Sequence, residues 1–260
     1  MGDGQRERVD LLFFGGSHMA AVGVPATSVF TVLVSRRLRA AWPAIRISTR
    51  GVFYSGNPAD LPEAMSGAVG PAPSIVIVLP RNMHGIPMLL HLKGRLGAIF
   101  GHLAPPGLAT RPVRRRLRTG YRLAAAAVLA ASALPTVPGH LARYGRALDA
   151  AIDLARSGGA TLIVLTTPIP LPLRRFPGAV YQGAFARLIR RRAAPDVRIA
   201  DVLREGRKQR AARITQPADP LHLTPAGHRF LAEVLGGAIL APGSQDVAAA
   251  GRPRRRPSPG

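Results

Sequence analysis

Cysteine is absent from this chain, which excludes disulfides, thiolate-bound metals and a cysteine nucleophile together. Lysine is nearly absent: Lys93 and Lys208 are the only two, so the other basic residues among 36 are arginine. Acidic residues number 13, which leaves a formal net charge of +23. No apolar run suits a membrane span. The longest, Leu123 to Leu134, is alanine-rich and well short of the roughly 18–20 residues required; it is expected to form a buried or half-buried helix. His84, His91, His102 and His140 show no His-x-x-x-His spacing, so neither a metal nor a cofactor is expected. Met1 to Asp10 is polar and charged, without a signal-peptide pattern, and the expectation is a cytoplasmic protein.

What is present suits one folded domain. At 260 residues and 47% apolar content the chain can bury a sizeable core. The arginine excess, with abundant Ala, Gly and Pro, matches the codon usage of a high-GC genome. A basic surface that attracts nucleic acid, anionic lipid or an acidic substrate is the functional alternative. The arginines cluster at 111–122, 187–192, 204–213 and 252–256, with few aromatics and no zinc-finger or RNA-recognition signature. Specific nucleic-acid recognition is therefore not predicted.

Short apolar runs alternate with longer helical stretches, the pattern of a parallel α/β sheet. Strands are predicted at Val9 to Phe14, Ile45 to Phe53, Ser74 to Leu79, Thr161 to Thr166 and Val197 to Val202. Helices are predicted over Ala20 to Trp42, starting after Pro25, and over Leu141 to Ser157, ended by Gly158-Gly159. The closing helix is placed at Pro225 to Leu240, with Thr224 as N-cap and Pro225 in the first position. Residues 83–138 are too long for a plain crossover and read as an arginine-rich insertion beside the sheet edge, a natural lid or substrate-selecting segment. Residues 1–241 form the predicted domain, and 242–260, rich in Pro, Gly and Arg, a disordered tail.

Four loops hold residue types that chemistry can use. The first strand runs into Gly15-Gly16-Ser17-His18, a tight turn that presents a serine at the carboxyl edge of a parallel sheet. Asp219-Pro220-Leu221-His222 precedes the last helix, with the Asp three residues before the His. A serine hydroxyl needs an imidazole to take its proton, and the imidazole needs a carboxylate to fix its tautomer. Ser17, His222 and Asp219 supply the three. Oxyanion donors would come from the Ser17 N–H, from Gly56 after the second strand, with Gly51 close by, and from Asn82 after the third. Taken singly, each has a plain reading: Ser17 as a helix N-cap, Asp219 as a turn residue, Asn82 as a loop residue. His18 reads as a partly exposed helix residue, and His222 and His228 as polar residues flanking the last helix.

Taken in order, these blocks resemble the SGNH, or GDSL-type, hydrolase superfamily. Its members carry Gly-Asp-Ser after the first strand, a glycine block after the second, Gly-x-Asn-Asp after the third and Asp-x-x-His before the last helix. The resemblance runs from about Val9 to Leu240. It implies a three-layer α/β/α fold with a parallel five-stranded sheet, Ser17 as nucleophile, His222 as base, Asp219 as its orienter, and Gly56 and Asn82 as oxyanion donors. Two departures stand out: Gly16 replaces the Asp before the serine, and the third block reads Pro80-Arg81-Asn82-Met83. The implied activity is cleavage of an ester or O-acyl group of a small molecule through an acyl-enzyme. Arg81 and the insertion arginines hint at an anionic substrate. An acyltransferase using the same triad, or a non-catalytic SGNH-like binding protein, are the alternatives.

Overall fold

The five predicted strands form one parallel sheet in the order β2-β1-β3-β4-β5. The computed structural model describes residues 8–54, 60–70, 74–79, 137–170, 181–209, 214–216 and 222–242. Its strands are β1 (Arg8–Gly15), β2 (Arg46–Phe53), β3 (Ser74–Val78), β4 (Ala160–Thr166) and β5 (Val197–Ala200). The described helices are α1 (Phe30–Ala41), α2 (Asp60–Ser66), α3 (Val137–Ser157), α4 (Gln182–Arg190), α5 (Val202–Lys208) and α6 (Pro225–Leu240).

β1 and β3 read as unbroken apolar runs because helices cover both faces of the sheet centre. Leu11 and Phe13 point into one core with Phe30, Val34 and Leu38 of α1 and Leu231, Leu235 and Ile239 of α6. Leu12 and Phe14 point into the other, with Leu61 and Met65 of α2, Tyr144 and Leu148 of α3 and Ile189 of α4. An edge-to-face contact between Phe13 and Phe30, centroids 5.8 Å apart, seats α1 on the sheet. The result is the expected three-layer α/β/α arrangement. β2 is an edge strand and exposes Arg46 and Arg50, charges that discourage pairing with another chain.

The strand order decides where a site can form. The chain leaves β1 to build β2 on one side of it, then returns to build β3 on the other. α1 and α2 therefore pack on opposite faces, and the carboxyl ends of β1 and β3 are the topological switch point at which open α/β sheets bind their ligands. Ser17 follows β1 directly.

Some boundaries differ from the sequence expectation. The helix predicted after Pro25 starts at Phe30. Residues 17–19 and 26–28 instead form two short 3-10 turns separated by Gly23 at φ +70°, because Val-Gly-Val-Pro is poor helix-forming sequence. The fifth strand stops at Ala200, since Asp201 accepts a hydrogen bond from the Arg204 N–H and caps α5. The arginine block at 187–192 belongs largely to α4. Thr224 caps α6 as predicted, accepting from the Gly227 N–H at 3.0 Å. Among the described residues no helix is long and apolar enough to cross a membrane. The predicted insertion and tail lie almost wholly outside the described residues, as do Leu123 to Leu134.

Candidate active site

The Ser17 turn is built from backbone bonds and one buried side chain. Gly16 takes an extended conformation and caps a single 3-10 turn, Ser17–Met19. The Met19 N–H donates to the Gly16 carbonyl and the Ala20 N–H to the Ser17 carbonyl, both at 3.0 Å. Met19 is buried in the α1/α6 core. A Cβ on Gly15 would stand 3.3 Å from both Met19 Sδ and Leu79 Cβ, so glycine there lets the turn fold back over the end of β3. Packing of Met19 thus fixes the turn that carries Ser17. Ser17 and His18 are half-buried on it.

The exits of the neighbouring strands are tied to the same place. The Tyr54 N–H donates to the Gly15 carbonyl at 3.1 Å, and the Leu79 N–H to the Phe14 carbonyl at 2.8 Å. The Tyr54 hydroxyl reaches the Leu79 carbonyl at 3.3 Å. Gly51 pairs with Phe13 inside β2, which removes it from the loop. Gly56, Arg81, Asn82 and Asp219 lie outside the described residues.

His222 is placed by a short antiparallel bridge between Thr215 and Leu223. The Gln216 N–H donates to the His222 carbonyl and the Thr224 N–H to the Ile214 carbonyl, each at 2.9 Å. The Gln216 side-chain amide then donates to two carbonyls, Val22 at 2.9 Å and Leu223 at 3.2 Å. Val22 lies in the loop that leaves the Ser17 turn, and Leu223 adjoins His222. One amide therefore clamps the serine-bearing loop to the histidine-bearing segment at the carboxyl edge of the sheet. Gly23 permits this: a Cβ there would stand 3.1 Å from Gln216 Nε2, on a backbone already left-handed.

His228 has a role that the sequence reading missed. It is 1% exposed, and its Nδ1 accepts the N–H of Phe30, the first residue of α1, at 3.3 Å. Its ring stacks on Phe30 with centroids 6.1 Å apart. Burial pushes its pKa down to about 4, so the ring is neutral near pH 7 and able to accept. The signal lay in spacing: His228, Leu231, Leu235 and Ile239 recur at the steps of a helix's buried face.

No protein-family model and no curated protein matches the chain. Solved structures do. A crystal structure of TesA is 17% identical, covering 89% of this chain and 98% of that one at a TM-score of 0.53. The lipase/acylhydrolase from Enterococcus faecalis is 13% identical, covering 89% and 95%, at 0.54. A member of the lipolytic protein G-D-S-L family from Veillonella parvula DSM 2008 is 11% identical, covering 87% and 95%, at 0.50. The chain shares the fold of these solved structures, among them a member of the lipolytic protein G-D-S-L family.

Proposed function

We propose that the chain is a divergent SGNH-type serine esterase that cleaves a small-molecule ester or O-acyl group. The Gln216 clamp carries the reading, because it fastens the loop leaving Ser17 to the segment bearing His222. In this mechanism Ser17 Oγ attacks the acyl carbonyl carbon while the His222 imidazole takes the hydroxyl proton. Asp219 holds the imidazole tautomer and stabilises the imidazolium. The oxyanion is met by the Ser17 N–H, Gly56, two residues beyond Tyr54, and Asn82, three beyond Leu79. The tetrahedral intermediate collapses, the C–O bond to the alcohol breaks, and His222 returns its proton to the leaving alkoxide. Water, deprotonated by His222, then hydrolyses the Ser17 ester and regenerates the hydroxyl. An acceptor alcohol in place of water would give acyl transfer from the same intermediate.

Residues 1–241 form the catalytic domain in this reading. Arg81, next to Asn82, favours an anionic ester. Turnover of p-nitrophenyl acetate by the full chain tests the reaction: activity is expected in the wild type and at least about a thousandfold less in Ser17→Ala or His222→Ala. Equal turnover of neutral and carboxylate-bearing esters would remove Arg81 from the account. Gly16 and Pro80 favour a second reading, a binding protein that has lost turnover; it predicts no hydrolysis by the wild type and a ligand affinity that Ser17→Ala leaves unchanged.

A further inference from the structure

The outer surface of the α3/α4 layer holds a groove of about 380 Å³, within the size range of small-molecule sites, roughly 300–1,000 Å³. Its α3 wall carries Leu141, Gly145 and Asp149 and its α4 wall Leu188, with Arg192 across the floor and Arg146, Arg187 and Arg191 along the rim. Leu141, Gly145 and Asp149 recur at steps of four on α3, so they line one stripe of that helix.

The floor is rigid and electrically satisfied. Arg192 donates to both oxygens of Asp149, at 2.7 and 2.9 Å, and to the carbonyls of Leu188 and Gly145, at 2.6 and 2.9 Å. Its side chain is only 14% exposed. A Cβ on Gly145 would stand 3.0 Å from Arg192 Nη2, so glycine admits the guanidinium across α3. Tyr144 and Phe185 lock the two helices edge to face, centroids 5.5 Å apart.

In this layer Arg156 is paired with Asp196 and Arg190 with Asp201, while Arg143, outside the groove, has no carboxylate partner among the described residues. Among the described residues, no carboxylate pairs with Arg146, Arg187 or Arg191, and all three are exposed. Attraction to a helix C-terminus accounts for cations at the end of α4. It does not account for Arg146, in the middle of α3 and on the same groove. Three like charges around one cleft repel each other unless an anion lies between them.

We infer that the α3/α4 groove binds a soluble organic phosphate, its phosphate held by Arg146, Arg187 and Arg191 and its apolar body laid against Leu141 and Leu188. Guanidinium forks suit phosphate oxygens in geometry and charge. The inference rests on α3 and α4 alone and stands whether or not Ser17 is a nucleophile.

Calorimetric titration of the full chain with phenyl phosphate tests it. The wild type is expected to show saturable one-site binding, weakened at least about tenfold in Arg187→Gln/Arg191→Gln. A charge-matched control, Arg143→Gln/Arg207→Gln, removes two exposed arginines outside the groove and is expected to bind as the wild type does. Ala142→Phe fills the groove without changing its charge and is expected to weaken binding as much. The absence of saturable binding, or equal loss in the groove variant and its control, would overturn the inference. So would full affinity in Ala142→Phe, or binding confined to vesicles containing phosphatidic acid.

Discussion

The imidazole of His228, on the first turns of α6, accepts the N–H of Phe30 at the start of α1 and stacks on the same residue's ring. The first N–H groups of a helix have no partner within it, and α1 has no side-chain N-cap of its own. His228 supplies an acceptor from another element. The bond joins the helix that follows the Ser17 loop to the helix that follows His222.

This relationship makes stability depend on pH in a defined direction. His228 has a folded-state pKa of about 4, against an ordinary value of 6.5. Between those values the folded state holds less of the proton than the unfolded state does. The contribution of the neutral ring is present above about pH 6.5 and is lost as pH falls through about 4. Thermal melts across that range should show the wild type losing stability faster than His228→Phe, which has no titrating ring. Parallel pH profiles for the two proteins would contradict the assignment.

Two further carboxylates act at lower pH. Hydrogen bonding from Arg156 lowers the Asp196 pKa. Burial works to raise that of Asp201, and hydrogen bonds from Arg190, Thr167 and the Arg204 N–H outweigh it. Their stabilisation is present above the ordinary carboxylate value and lost below it. Asp201→Asn should therefore flatten the acid limb of the stability curve below that value and leave the His228 window in place.

Gln216→Ala should separate positioning from folding. Losing two partly exposed amide hydrogen bonds costs about 1–2 kcal/mol of stability, a shift of a few degrees in melting temperature for a chain of this size. The same change frees the loop after Ser17 from the His222 segment. Esterase kcat/KM should fall by about tenfold or more, with Gln216→Glu restoring little because a carboxylate cannot donate to the Val22 and Leu223 carbonyls. A melting shift with unchanged kcat/KM would show the clamp to be structural only.

Two glycines ten positions apart on α6 should respond oppositely to alanine. A Cβ on Gly227 would lie 2.0 Å from the Ile214 carbonyl oxygen, where backbone must move. Gly227→Ala should cost about 3 kcal/mol or more and disturb the bridge that sets His222. Gly237 is exposed and a Cβ there meets nothing within 4 Å. Gly237→Ala should stabilise the protein by about 0.5–1 kcal/mol. Denaturant melts of both variants check the pair.

Much of this architecture was legible in the residues. The three central strands announce themselves because strands covered on both faces leave unbroken apolar runs such as Leu11 to Phe14 and Ile75 to Val78. The α6 start was equally clear, since Thr224 and Pro225 are local signals whose partners lie within one turn. Contacts across long sequence separations were hidden. The Gln216 clamp joins residues 194 apart, and the His228 bond spans 198; neither has a local pattern. The late start of α1 was hidden for a related reason: its first N–H is satisfied by His228, and the N-cap position falls on Val29, whose side chain cannot cap.

The account turns on Ser17 being an activated nucleophile, and intact-mass labelling with a fluorophosphonate tests it most directly. The folded wild type should gain one adduct, on Ser17, and Ser17→Ala and His222→Ala should gain none. An unlabelled wild type, or an adduct that survives Ser17→Ala, would contradict the account.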